Sequence, residues 1–240
     1  MDELQVRELT YAQAAEIYRK HLKADFPPAE VKPLLVIRQA WSRKRYHAYG
    51  FYERSETGEG TKESLCAYAF FLADHQNRVL LLDYFAVCRS LRGSGYGSRA
   101  LALLRRECAG WNEVIIEVED DELPDLEEET RRNRQRRIAF YTGAGCLMTT
   151  TRSRLWGVDY RIMVMPIKPS GLGEQTQEDR TQGEQTQEER TQGEQTQKNR
   201  TQEDRTQTEL PRHMAEKIRC LYEGMYAGKI LKKHFEITAL

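Results

Sequence analysis

Apolar residues recur along the first 167 positions in two periods, one close to 2 and one close to 3.6, which predicts strands and amphipathic helices in alternation. Leu4–Leu9 alternates as a short strand. Thr10 is placed to cap a helix over Ala12–Leu22, with Ala15, Ile17 and Leu22 facing inward. Phe26-Pro27-Pro28 breaks that helix, and a second is expected from Ala29 through Trp41, with Pro33 in its first turn. Tyr46–Tyr52 and Leu65–Ala73 read as strands joined by a hairpin loop at Ser55–Thr61. Val79–Val87 is apolar at nearly every position, as a central strand buried on both faces requires. A glycine-rich loop and a helix from Ser98 follow. Then come a strand at Glu113–Glu119, an arginine-rich helix containing Arg131–Tyr141, and closing strands near Leu147–Ser153 and Asp159–Pro166. The order is that of an α+β fold with a mixed sheet.

The pattern then fails. From Glu174 through Glu209 there is no aliphatic or aromatic residue, and a Gly-Glu-Gln-Thr-Gln-x-x-Arg-Thr-Gln decapeptide begins at Gly173, Gly183 and Gly193. Such a segment buries too little surface to offset ordering entropy, and residues 170–208 are expected to be a disordered insertion. A solenoid is excluded, because no repeat has an apolar position to stack. Periodicity returns with Leu210, Met214, Ile218, Leu221, Tyr222 and Met225 on one helical face. Residues 209–240 are therefore expected to pack a helix, and a strand or tail at Lys232–Thr238, back onto a domain spanning 1–169.

Lys+Arg and Asp+Glu are 37 each, so no net field recruits nucleic acid or anionic lipid. The five cysteines are scattered and lack paired spacing, which suits buried free thiols and argues against disulfides or a metal site. No apolar run approaches the roughly 20 residues of a membrane span, and Met1–Gln5 has no signal-like pattern. A cytoplasmic protein, monomeric or homodimeric, is expected.

The segment from Val79 to Leu104 carries the chemistry. A strand leads into Arg92-Gly93-Ser94-Gly95-Tyr96-Gly97-Ser98, and a helix opens directly from that loop. Closely spaced glycines let backbone N–H groups approach a ligand, and the helix start adds unpaired donors and partial positive charge. A diphosphate is the ligand such a junction fits. No Gly-Lys-Ser/Thr follows, which excludes a Walker loop, and the downstream motifs of a kinase are missing. A dinucleotide fold would place the loop after its first strand. Arg92-x-x-Gly95-x-Gly97 resembles the acetyl-CoA pyrophosphate signature of the GNAT acetyltransferase superfamily. Tyr141-x-x-x-Gly145 matches that family's Tyr-x-x-x-Gly-Phe, with Cys146 in place of Phe. Arg134 stands where many members have Asn. The resemblance covers Leu4 to about Ile167.

That resemblance implies a mostly antiparallel central sheet flanked by helices. It also implies acetyl-CoA as co-substrate, held by the loop from Arg92 through Ser98 and by the backbone of Phe85, Ala86 and Val87. Arg89 and Arg92 could add charge near the phosphates. Tyr141 is the implied general acid for the departing thiolate, the alternative being a packing tyrosine. Two carboxylates interrupt apolar strands, Asp83 and Glu117, and a carboxylate so placed is either paired or open to a wet cleft. Either could be the base, as could a water chain. Glu30 lies in the loop that lines the acceptor pocket of the family, where it could read an amine or pack as part of a lid. Phe26–Pro33 together with Trp156–Tyr160 resembles a bacterial subgroup whose acceptor is unassigned. Nine acidic residues between Glu117 and Glu129 precede five arginines, an order that complements a helix dipole and could also line an entrance for a cationic amine.

The expected function is acetyl-CoA-dependent N-acetylation of a primary amine on a small molecule or peptide. The alternatives are a non-catalytic acyl-CoA-binding sensor and an interaction protein built around the repeat.

Overall fold

The computed structural model describes residues 4–57, 60–167, 213–226 and 234–239. The decapeptide repeat, and with it the expectation of disorder, lies outside the described residues. Helix α1 (Tyr11–Ile17) opens at Thr10, whose hydroxyl accepts from the Gln13 N–H while the Gln13 side chain accepts from the Thr10 N–H. It runs on through a π-helical turn at Tyr18–Leu22 and a last turn at Lys23–Asp25. Ala15, Ile17 and Leu22 all face the core. The remaining helices are α2 (Leu34–Ser42), α3 (Tyr96–Glu107), α4 (Glu128–Gly143) and α5 (213–223).

The second helix starts five residues later than its periodicity suggests. Residues 29–33 are held as a loop by side chains distant in sequence. The Lys32 N–H donates to the Tyr84 hydroxyl, that hydroxyl donates to the Glu30 carbonyl, and the Tyr18 hydroxyl donates to the Lys32 carbonyl. These bonds satisfy backbone groups that a helix would otherwise have used.

Among the described residues eight strands form one sheet: β1 (Gln5–Glu8), β2 (Tyr46–Thr57), β3 (Gly60–Asp74), β4 (Val79–Val87), β5 (Glu113–Glu119), β6 (Leu147–Leu155), β7 (Val158–Pro166) and β8 (Phe235–Ala239). Their order is β1-β2-β3-β4-β5-β7-β6-β8. Only the β4–β5 pair is parallel; every other neighbour runs antiparallel. From Ala67 to Ala73 the side chains of β3 alternate between the two faces. Tyr68, Phe70 and Leu72 pack under α1 and α2, whereas Ala67, Ala69 and Phe71 pack with Leu101 and Leu104 of α3. Each face of the sheet thus has its own apolar layer.

Helix α5 extends the first layer. Met214, Ile218, Leu221, Tyr222 and Met225 are buried there beside Tyr84, Ile115, Leu155 and Ile162. Lys217 pairs with Glu113 of β5 at 2.5 Å. The Arg45 guanidinium holds the helix end, donating to the carbonyls of Cys220 and Ala73 at 3.2 Å each. After α5 the chain returns as β8 and pairs with β6. Among the described residues no helix is long and apolar enough to cross a membrane.

Leu221 is fully buried, so Leu221→Ala should cost about 2–5 kcal/mol, as deletions of this size in a packed core do. Urea denaturation should show a lowered midpoint with unchanged slope. A midpoint equal to that of the natural chain would mean that α5 does not dock.

Candidate active site

The site begins with a fork in the sheet. Strands β4 and β5 pair only from Val79↔Glu113 to Leu82↔Ile116 and then part. Beyond that point the β5-facing edge of Asp83–Val87 and the β4-facing edge of Glu117–Glu119 have no strand partner among the described residues, although each strand keeps its other neighbour. Unpaired N–H and C=O groups along an opened edge can pair with an extended ligand.

A bulge falls at the same place. Phe70 pairs with Tyr84 and Phe71 with Leu82, leaving Asp83 as the extra residue of β4. A bulge re-aims side chains. Here the Asp83 carboxylate and the Tyr84 ring both reach residues of the α1 and α2 face.

A cleft of about 1030 Å³ occupies the fork. One end is the glycine-rich loop. Gly93 and Gly95 have φ of +80° and +79°, and a Cβ at either would meet nothing within 4 Å. Glycine is needed there for its left-handed backbone, and the space above it is open. Gly95 is also the N-cap residue of α3 and offers no side chain of its own. That combination of bare backbone, open space and helix start fits a pyrophosphate. Gly97 serves packing: a Cβ there would lie 3.2 Å from the Phe140 ring of α4. Ser98 lines the cleft, as do Phe85, Ala86 and Val87. Tyr96 turns instead toward β2, donating to Glu53 at 2.5 Å, and neither it nor Ser94 lines the cleft.

Arg92 and Arg89 are held by protein groups. The Arg92 guanidinium pairs with Asp25 at 2.8 Å and donates to the Val87 carbonyl at 3.1 Å. Arg89 meets the same carboxylate at 3.2 Å. Asp25 is itself only 4% exposed at its side chain and accepts from the Tyr68 hydroxyl at 2.9 Å. These bonds tie the loop to the end of α1.

At the other end of the cleft lie Glu30, Lys32, Asp83 and Glu117. Lys32 Nζ pairs with Asp83 Oδ1 at 2.5 Å, and both side chains are nearly removed from solvent, at 11% and 3%. The Tyr46 hydroxyl donates to Asp83 Oδ2. The adjacent carboxylate holds the Lys32 ammonium well above its ordinary value, because removing the proton would leave a buried anion uncompensated.

Glu117 is surrounded differently. Its Oε2 accepts from the Tyr222 hydroxyl of α5, and its Oε1 accepts from Ser153 of β6 at 3.1 Å. No cation pairs with it among the described residues. Burial pushes its carboxyl upward, against a smaller downward pull from Tyr222, Lys32 and Ser153. Glu30 is also raised, mainly by burial. Tyr141 lies near the end of α4 with its ring edge-on to Phe140, and burial pushes its phenol upward. The phenol is thus protonated at neutral pH.

The acidic stretch after Glu117 is knitted to the arginines across elements. Arg131 donates to the carbonyls of Asp121 and Leu123, and Arg134 to that of Asp120. Arg137 pairs with Glu119, Arg152 with Asp120, and Arg161 with Asp121. Helix α4 has acidic residues in its first turn but no basic residue in its last, so dipole complementation accounts for its start alone.

Sequence reasoning did not single out Lys32 or Tyr222 as site residues. Lys32 sat between prolines in a presumed helix start, and Tyr222 was one apolar position among six on an amphipathic face. The phenol oxygen at such a position was the available signal, since a buried hydroxyl needs a partner.

No curated protein sequence matches the chain. Solved structures do. A GNAT-family structure from Desulfovibrio desulfuricans, at 17% identity, covers 69% of this chain and 100% of its own, with a TM-score of 0.51. The ribosomal-protein-S18-alanine N-acetyltransferase of Escherichia coli matches at 18% identity over 71% of this chain and 97% of its own, with a TM-score of 0.49. An acetyltransferase from Bacillus subtilis in complex with CoA matches at 14% identity over 70% of this chain and 100% of its own, with a TM-score of 0.44. A sequence model of the Acetyltransferase (GNAT) family matches residues 14–142, more than half of the 240-residue chain, and the protein belongs to that family.

Proposed function

We propose that the protein transfers an acetyl group from acetyl-CoA to a primary amine by direct attack, with Glu117 as base and Tyr141 as general acid. The observation that carries this reading is the fork. A positive-φ glycine loop, an opened strand edge, a raised carboxyl and a protonated phenol all line one cleft.

When bound, acetyl-CoA supplies the thioester. The loop from Gly93 to Ser98 and the start of α3 would take its pyrophosphate, and the free edge of Phe85–Val87 would pair with its extended arm. An ammonium group must lose a proton before it can attack. Glu117 suits that step, because burial moves its carboxyl up toward the pH at which a base is most effective. Asp83 suits it less. Its charge is matched by Lys32 at 2.5 Å, and protonating it would strand that cation. As the C–N bond forms and the C–S bond breaks, Tyr141 gives its phenolic proton to the sulfur. The attacking nitrogen then sheds its second proton, which restores the phenol, and Glu117 releases the first to solvent. The balance is one amide, one thiol and one proton.

Gly95→Glu should abolish acetyl-CoA binding in calorimetry while leaving most of the melting temperature in place. The new side chain fills open space and brings a like charge to the phosphates. Binding of ordinary strength would refute the loop as the phosphate site.

Tyr141→Phe should lower kcat on the order of 10²-fold, the usual worth of a positioned proton donor, with acetyl-CoA affinity little changed. Unchanged turnover in single-turnover kinetics would reduce Tyr141 to a packing residue.

The base must be unprotonated, so kcat/KM should fall as pH drops through the raised value of Glu117. Tyr222→Phe removes a donor that favours the carboxylate, which raises that value further and moves the acid limb of the profile to higher pH. Glu117→Gln should remove the limb altogether and cost about 10² in kcat. An acid limb that ignores both changes would exclude Glu117 as the base.

A further inference from the structure

The charges along the cleft are largely matched within the protein. Asp83 is committed to Lys32, Glu119 to Arg137 and Asp25 to Arg92. Of the cleft carboxylates, Glu30 and Glu117 are left with no ion pair among the described residues. A polyamine carries charges spread along its length and would need a row of unmatched carboxylates. An acceptor with its own carboxylate would need an unmatched cation beside Glu117, and Lys32, whose charge acts on Glu117, is already paired. Two unmatched carboxylates fall short of the row a polyamine needs.

Its walls are aromatic. Tyr84, Trp156, Tyr160, Tyr222 and Tyr226 all line the cleft. Tyr226 packs edge-on against Trp156 at 5.7 Å between ring centres and runs nearly parallel to Tyr222, at 27°. Trp156 sits in the β6–β7 turn at φ +53°, a left-handed backbone that a bulky residue rarely adopts. The turn is held there by the segment that follows α5. The Trp156 N–H donates to the His234 carbonyl at 2.9 Å, and its ring stacks on His234 at 4.3 Å. Even so, Trp156 stays 39% exposed. A strained, anchored tryptophan left open beside two tyrosines is a surface shaped for a flat apolar body.

We infer that the acceptor is a primary amine carried on an aryl-type body, with its nitrogen at Glu117 and its ring among Trp156, Tyr160 and Tyr226. This rests on the acetyl-transfer reading above and narrows it to one substrate class. Tyr226 comes from the turn after α5, so the segment beyond the repeat contributes to the specificity wall. Ring faces also attract an ammonium group, which lets the same wall guide the amine toward Glu117.

The test uses the full chain, acetyl-CoA and a panel of 2-phenylethylamine, hexylamine, putrescine, spermidine and alanine amide, with thiol release as the readout. 2-Phenylethylamine should have the highest kcat/KM, about 10-fold or more above hexylamine, the difference that one added aromatic contact can supply. Trp156→Ala and Tyr226→Ala should each raise its KM several-fold more than that of hexylamine, with acetyl-CoA affinity by calorimetry unchanged. Highest efficiency with spermidine, putrescine or alanine amide would overturn the inference and leave acetyl transfer standing. So would equal treatment of phenylethylamine and hexylamine by the unaltered protein, a comparison that does not depend on either variant folding. Acetyl-CoA binding without turnover of any amine would overturn both readings, and failure to bind acetyl-CoA would refute the cleft assignment itself.

Discussion

Four residue pairs of parallel strand hold β4 to β5, and then the two strands part. Backbone groups in a protein interior need partners, and an unmade hydrogen bond there costs as much as a lost one. The edges beyond Leu82 and Ile116 can meet that demand with water or with an extended ligand. The bulge at Asp83 stands at the divergence, and bulges bend a strand and strengthen its twist. Loop, cleft and carboxylates are all arranged around that opening.

The same opening separates two carboxylates that look alike in composition. Asp83 is turned into the layer under α1 and α2, where Lys32 and Tyr46 hold it. A buried ion pair of this kind contributes little net stability, yet breaking it is costly, because one charge is left without its partner. Its consequence here is positional. Lys32 fixes the loop of residues 29–33 against β4, and Tyr84 reinforces it through the backbone. Glu117 has neutral hydroxyls as partners and faces the cleft. Two environments on neighbouring strands thus give one carboxylate a cation as its partner and the other neutral hydroxyls.

Helix α5 shows how a distant segment becomes part of a site. It returns to the sheet after the long repeat and contributes both core side chains and the hydroxyl on Glu117. Loop-closure entropy rises only with the logarithm of loop length, so an intervening segment of this size weakens the return contact little. The core contacts of Met214, Ile218 and Leu221 supply the stabilisation, and Tyr222 and Tyr226 are carried into the cleft with them.

The sequence by itself determined the centres of the strands, the helix that opens from the glycine loop and the docked face of α5, although β2 runs on to Thr57 and β3 begins at Gly60, where a loop over Ser55–Thr61 was expected. Burial imposes a period of 2 or 3.6, and that period is written in neighbouring residues. Val79–Val87 and Glu113–Glu119 are legible for this reason, as are Thr10 as a cap and Gly93 and Gly95 as bare backbone. The tertiary structure decided the rest. The bulge at Asp83 is a change of register between strands, invisible in the residues of either one. The start of α2 at Leu34 was moved by hydroxyls of Tyr18 and Tyr84, the latter 52 residues from the backbone N–H it accepts. Lys32 meets Asp83 across 51 residues, and Tyr222 meets Glu117 across 105. Arg92 meets Asp25 across 67 residues. Periodicity is a local property, set residue by residue by which face meets the core. Ion pairs and hydrogen bonds between distant segments form only once the sheet has brought those segments together, so their partners are decided by the fold.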